Sequence, residues 1–159
     1  MTEPNAVSFF VPGKPSTKNN KRAFVVGGKA RVVIASKDRA RMASFSAVAA
    51  EHALAVPLRG PVHLSLRFVF VPPKSMPVWK RVRLAALAAD VPKVTKPDLS
   101  RLVTFAEDCL SGIFFVDDNQ VIKIAATKEY GDRPGTWVKI VPAPVRQRDG
   151  RTTAEGVRP

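Results

Sequence analysis

The stretch VHLSLRFVFV, residues 62 to 71, lies between Gly60-Pro61 and Pro72-Pro73. Proline lacks the amide that a strand ladder or helix needs, so these dipeptides fix both ends of the segment. Between them, alternating apolar and polar residues rich in β-branched and aromatic types predict a long strand. Its length suggests a central position in a sheet, around which the rest of the chain must be arranged.

The other elements follow from the same punctuation. AVSFFVP (6 to 12) reads as a first strand ended by Pro12-Gly13 and followed by the basic segment KPSTKNNKR. AFVV and ARVVIA flank Gly27-Gly28-Lys29, which supplies the positive φ angles of a tight hairpin over 23 to 35. Ser36 is suited to cap a helix over 37 to 55, with Met42, Phe45, Val48, Ala49 and Leu54 near one face. Residues 78 to 89 fit a short basic helix, although the Lys-, Arg- and Pro-rich stretch 74 to 96 around them equally fits a mobile loop. A further helix over 98 to 111 opens at Pro97-Asp98 and stops at Gly112. VIKIAATKEY and TWVKIVP form a terminal hairpin around GDRPG. The expected fold is one small α/β (α+β) domain over 1 to 142, with a mixed sheet and two to three helices. Residues 143 to 159 have few large apolar side chains and read as a disordered basic tail.

The chain has 159 residues, with 26 Lys and Arg against 13 Asp and Glu, a formal net charge of +13. That length suffices for a core without a disulfide or metal staple. No apolar run approaches the roughly 20 residues of a membrane helix, and the N-terminus lacks the pattern of a secretory signal. Cytoplasm is the expected location. One cysteine excludes an intramolecular disulfide, and with His52 and His63 it makes no zinc set, so carboxylates must hold any metal. Setting aside the tail's four Arg and two acids still leaves +11 on residues 1 to 142. Basic residues spread from Lys14 to Arg158 suit DNA or RNA better than a membrane surface, where they would concentrate on one helix.

Against that background, five of the 13 acids, Asp98, Glu107, Asp108, Asp117 and Asp118, lie between 98 and 118, a window with Arg101 as its one basic residue. Clustered carboxylates repel one another unless a cation sits among them, which suggests Mg²⁺ or Mn²⁺. Phosphodiester hydrolysis needs that combination: divalent cations orient a water and neutralise phosphate oxygens while basic surroundings hold the backbone. At 100° per residue, Leu99, Leu102, Val103, Ala106 and Leu110 share the core face of the helix. Ser100, Arg101, Thr104, Glu107, Asp108 and Ser111 share the opposite arc, and Asp117-Asp118 must fold back to reach it. Spacing alone leaves a plainer reading open: Asp98 as a favourable helix start, Glu107 and Asp108 as solvated surface, Asp117-Asp118-Asn119 as a turn.

KPDLSRLVTFAEDCLSGIFFVDDNQVIKI, residues 96 to 124, resembles the RusA family of Holliday-junction resolvases. It is similar to the family pattern of Lys-Pro-Asp-Leu-Asp-Asn, a helix ending in Asp-Ala-Leu, and Asp-Asp-x-Gln-Val. VPGKPSTKNNKR (11 to 22) and KEYGDRPG (128 to 135) resemble its flanking segments, so that the likeness spans about residues 7 to 141. The resemblance implies a homodimeric, Mg²⁺-dependent endonuclease that binds four-way junctions and other branched DNA and makes paired symmetric nicks during recombination and repair, in a bacterial or phage setting. Mn²⁺ is expected to substitute, and no small-molecule cofactor is implied. By position, Asp98 and Asp118 match metal-binding aspartates, Asp117 a neighbouring acid, and Asp108 a third ligand candidate near the helix end.

Three positions depart from the pattern. Ser100 stands where a second aspartate is expected, Arg101 replaces an asparagine, and Thr104 replaces a lysine that supports catalysis. A serine hydroxyl is a much weaker ligand than a carboxylate. Glu107 or Asp108 is then the candidate to complete the site, and Arg101 or a basic residue from elsewhere to replace the lysine. The competing expectation is a catalytically impaired junction- or nucleic-acid-binding protein. Candidate DNA contacts are Lys14, Lys18, Lys21 and Arg22, then Lys74, Lys80, Arg81, Arg83, Lys93 and Lys96, with Arg101 beside the site. Phe9, Phe10, Phe68 and Phe70 are expected in the core, Trp79 exposed, and Cys109 buried as a small apolar residue.

Overall fold

The computed structural model describes residues 6–18, 21–34, 36–86 and 91–144. In chain order these form β1 (Val7–Pro12), β2 (Lys21–Val26), β3 (Lys29–Ile34), α1 (Ser36–Glu51), β4 (Val62–Phe70), α2 (Val78–Ala86), β5 (Val91–Pro92), α3 (Leu99–Leu110), a 3₁₀ turn (Asp118–Gln120), β6 (Val121–Tyr130) and β7 (Gly135–Pro142). The last residue of the expected hairpin (35), the end of the basic helix (87 to 89) and tail residues 145 to 159 lie outside the described residues.

β4 is the centre of a five-stranded sheet with order β1-β7-β4-β6-β5. Val62, Leu64, Leu66, Phe68 and Phe70 are buried along it. β4 runs antiparallel to β7 (Leu64 opposite Ile140) and parallel to β6 (Leu64 beside Ile124), so the sheet is mixed as expected. A parallel pair needs a long crossover, and the chain makes one between β4 and β6 through α2, β5 and α3. β2 and β3 form a separate two-stranded ribbon, closed by Gly27 and Gly28 at φ of 59° and 75°. Only glycine adopts two successive positive φ angles at little cost.

The expected terminal hairpin is not formed. β4 lies between β6 and β7, and the Gly131–Pro134 link steps over its end, with the Gly131 amide donating to the Phe70 carbonyl (2.9 Å). A link longer than a two-residue turn permits this. Inserting β4 there gives a strand of apolar residues hydrogen-bonded neighbours on both edges. The helix expected over 37 to 55 stops at Glu51. The His52 and Ala53 amides bond three residues back, to Ala49 and Ala50, and the His52 ring stacks on Phe9 at 4.9 Å. That tightened last turn leaves Leu54 beyond the helix.

α1 and α3 pack together with the sheet. Phe45 meets Phe105 edge-on at 5.9 Å, and Phe9 stacks on Phe114 at 5.2 Å. Leu102, Phe105, Ala106, Cys109 and Leu110 of α3 are buried in the same cluster as Phe9, Val11, Val138 and Ile140. The core arc is thus wider than the helical wheel suggested, taking in Phe105 and Cys109. Phe68 and Phe70 are core as expected, Phe10 is half-buried against Trp137, and Trp79 is exposed. The described domain extends slightly past 142: Ala143 is buried and its amide bonds to the Pro61 carbonyl.

Candidate active site

With one side of α3 fixed in the core, its other side is left outward. Ser100, Arg101 and Thr104 are exposed there, and Glu107 and Asp108 are half-buried. Asp98 occupies the N-cap position with extended backbone (φ −67°, ψ 139°) but makes no side-chain capping bond. Its Oδ2 instead faces Arg101 Nε at 3.6 Å, both side chains being 60% exposed. The carboxylate therefore remains accessible beside a cation.

The segment leading to Asp98 is held by the sheet. Lys128 on β6 donates to the carbonyls of Thr95 (2.8 Å) and Pro97 (2.7 Å). Lys93 donates to the Thr95 hydroxyl, with its ammonium 5.3 Å from the Phe70 ring and 5.2 Å from that of Tyr130. Lys93 is buried, so its expectation as a DNA contact is corrected: two aromatic faces and a hydroxyl satisfy the charge, and the residue braces the approach to Asp98. The Tyr130 hydroxyl has its pKa lowered by its hydrogen bond with Thr95, with Lys93 adding its positive charge.

The other end of α3 bends back. Ser111 bonds to the Glu107 carbonyl, Gly112 takes φ 81°, and Phe114 and Phe115 bury beneath the helix, which returns the chain as Asp117-Asp118. Asp117 caps the 3₁₀ turn, its Oδ1 accepting from the Asn119 amide at 2.9 Å. Gln120 locks that turn. Its Oε1 accepts from the amides of Val116 (2.8 Å) and Asp117 (3.0 Å), and its Nε2 donates to the carbonyls of Leu58 and Gly60, both at 2.8 Å. Asp117 is thereby committed to the loop, while Asp118 is exposed.

Asp118 returns close to the helix. Burial pushes the Glu107 carboxyl up from its ordinary value, and the charges of Asp118 and Asp108 push it further. Asp108 has a cation in contact: Lys18 Nζ lies 2.8 Å from its Oδ2. Glu107 and Asp108 thus adjoin at the C-terminal end of α3, and the charge of Asp118 reaches Glu107 from the following loop. Asp98 lies at the other end, nine residues and ~13 Å from Glu107 along the axis. Among the described residues, no three His, Cys, Asp or Glu side chains stand close enough to hold a metal together. The oxygen donors of Glu107, Asp108 and Asp118 are of the kind a hard divalent cation takes, but in this arrangement the three do not form a site for one.

Of the other basic candidates, Lys14, Lys74, Lys80, Arg83 and Lys96 are exposed and Arg81 is half-buried. Lys14 borders a cavity of about 340 Å³ between residues 12–16 and α1, and Lys80 one of about 350 Å³ that reaches Thr95 and Tyr130. Lys21 and Arg22 lie on β2, with their side chains outside the described residues. Cys109 is buried, its thiol pushed up to about 12 chiefly by burial, which removes it as a nucleophile. Gln120, Lys128 and Tyr130 were not singled out from the sequence. Gln120 falls within the Asp-Asp-x-Gln-Val likeness, and that was the signal that could have found it.

No described helix is long and apolar enough to cross a membrane. The chain is 26% identical over 136 residues to "Uncharacterized protein YqaN" of Bacillus subtilis (strain 168), an alignment covering 86% of this chain and 96% of that one. The sequence model described as "Endodeoxyribonuclease RusA" matches residues 12–141, from the end of β1 almost to the end of β7 and across all three helices. On that match, the chain belongs to the RusA endodeoxyribonuclease family.

Proposed function

We propose that this protein is a divalent-metal-dependent endonuclease that resolves Holliday junctions by paired symmetric nicks. Family membership implies junction-resolving endodeoxyribonuclease activity. The observation that carries the finer reading is the acidic end of α3 in a chain of net charge +13, where Glu107 adjoins Asp108, Lys18 lies 2.8 Å from Asp108 Oδ2 and the charge of Asp118 acts on Glu107. A basic protein gathers acids in one place at a cost in repulsion, and a cation that engages phosphate offsets it.

Asp98, Asp108 and Asp118, with Glu107 beside Asp108, are the carboxylates that would serve Mg²⁺ or Mn²⁺; as placed here no three of them stand close enough to hold a cation, so binding of metal and substrate would have to draw them together. A cation bound there would supply charge neutralisation at the phosphate and an oriented water. Asp117 and Gln120 fix the loop that carries Asp118. Lys80 and Arg83 on α2, together with Lys14, Lys74 and Lys96, are exposed cations suited to the flanking backbone. Two equivalent strands must be cut in a four-way junction, which a C2 homodimer with one site per subunit achieves. Recombination and repair, in a bacterial or phage-infected cytoplasm, are the processes that would use such cuts.

A second reading, a junction binder without catalysis, is favoured by Ser100 in place of an acid and by Thr104, whose hydroxyl donates to the Ser100 carbonyl (3.0 Å). Incubating labelled four-way junction and matched linear duplex with the protein in Mg²⁺, Mn²⁺ or EDTA separates the two. Metal-dependent symmetric nicks on the junction support the nuclease, whereas tight junction binding without nicks supports the binder.

A further inference from the structure

The helix position at which the family pattern carries a lysine holds the uncharged Thr104, and Arg101 stands beside Asp98 at the far end of α3. At the acidic end, a cation arrives from 90 residues away in sequence: Lys18 Nζ donates to Asp108 Oδ2 at 2.8 Å. The backbone carrying it is anchored. Thr17 is buried, Pro15 is buried, and the Gly13 amide bonds to the Pro134 carbonyl at 3.2 Å. The side chains of Lys18 and Asp108 remain 26% and 27% exposed, so the ammonium is held in place and still open to a ligand.

We infer that Lys18 is the catalytic cation of this site, taking the place of the lysine absent at position 104. An ammonium has three donors, so one bond to Asp108 leaves two for phosphate oxygens. The inference rests on the nuclease reading. Its chemistry is electrostatic: a fixed positive charge at the phosphate, beside the acids, stabilises the charge that develops as the phosphodiester breaks. The N-terminal basic segment thereby contributes to the cutting centre itself, and a residue that looked like one more backbone contact acquires a distinct task.

The test is single-turnover cleavage of a four-way junction in Mg²⁺ at saturating protein, with junction affinity measured separately in Ca²⁺ and thermal melting followed for every variant. Lys18→Met should cut ~100-fold more slowly than wild type, the scale of losing one preorganised electrostatic donor. Its affinity should stay within about threefold, since binding is spread over many phosphate contacts. Lys18→Gln, which keeps a hydrogen-bond donor towards Asp108 without the charge, should be equally slow. Restoring a lysine in Lys18→Met/Thr104→Lys should recover at least about tenfold, which loss of a purely structural ion pair would not allow. Wild-type rates in Lys18→Met or Lys18→Gln would overturn the inference. So would a rate loss matched by an equal loss of affinity, or no recovery in a double variant that melts like wild type. A wild-type chain that makes no metal-dependent cut would overturn the nuclease reading and this inference together. Cuts undiminished by either Lys18 substitution would overturn this inference alone.

Discussion

Replacing Gln120 with alanine deletes four hydrogen bonds at once: two that fasten Val116 and Asp117 and two that reach across to Leu58 and Gly60. A typical intramolecular hydrogen bond contributes a net ~1 kcal/mol, and groups that can rehydrate recover part of it, so the loss should be about 2–4 kcal/mol. For a chain of this size each kcal/mol moves Tm by about 2–4 °C, giving an expected fall of about 5–15 °C. The consequence for function is larger than for stability, because Asp118 and Gln120 belong to the same 3₁₀ turn and the clamp sets where the Asp118 carboxylate stands. Gln120→Ala should therefore cut junctions at least ~10-fold more slowly, with affinity nearly unchanged, since a misplaced reacting group costs rate rather than binding. Circular-dichroism melting, hydrogen exchange at the Val116 and Asp117 amides, and single-turnover cleavage read the three effects. A melting temperature and amide protection equal to wild type would refute the clamp.

Glu107→Gln should raise the metal-free melting temperature at pH 7 and leave it unchanged near pH 4. The raised carboxyl pKa means that folding favours protonation, so stability is full at low pH and is lost as pH rises through the raised value. The amide removes that loss, and a melting temperature lowered at pH 7 would contradict the repulsion. For the basic residues, the salt dependence of junction binding is diagnostic. Lys80→Ala and Arg83→Ala should each flatten the log K against log salt slope by roughly 0.9 if they neutralise a phosphate. Lys93→Ala should leave the slope alone and instead destabilise the fold by about 1–3 kcal/mol through the lost cation–π contacts and hydroxyl bond. Cys109 should resist iodoacetamide at pH 8 in the folded protein and react on unfolding, while Cys109→Ala retains the cleavage rate.

The central strand was legible because its ends are marked by proline and its pattern has period two. The last two strands were legible one by one but not in their pairing. Whether neighbours in sequence become neighbours in a sheet is decided by what else must be buried. The apolar β4, with residues such as Val62, Leu64 and Phe68 almost fully buried, displaced the local hairpin. At the site, the acids were visible as an inversion of charge, but the sequence showed only that Asp117-Asp118 would have to fold back to reach the helix, not that they do. The pairing of Lys18 with Asp108 had no local signal, being a contact across 90 residues. Lys93 misled for a related reason: composition counts a lysine as surface charge, whereas Phe70 and Tyr130, distant in sequence, receive it inside.

The central claim is that the acids at the C-terminal end of α3 carry out phosphodiester cleavage, and Asp118→Asn tests it most directly. Asp118 is exposed and caps nothing, so the amide should leave the fold intact. On a synthetic four-way junction resolved by denaturing gel, wild type should give paired, symmetric, Mg²⁺-dependent nicks. Asp118→Asn should bind the same junction with comparable affinity and give none. Undiminished nicking by Asp118→Asn would contradict the account and move the chemistry away from this end of the helix.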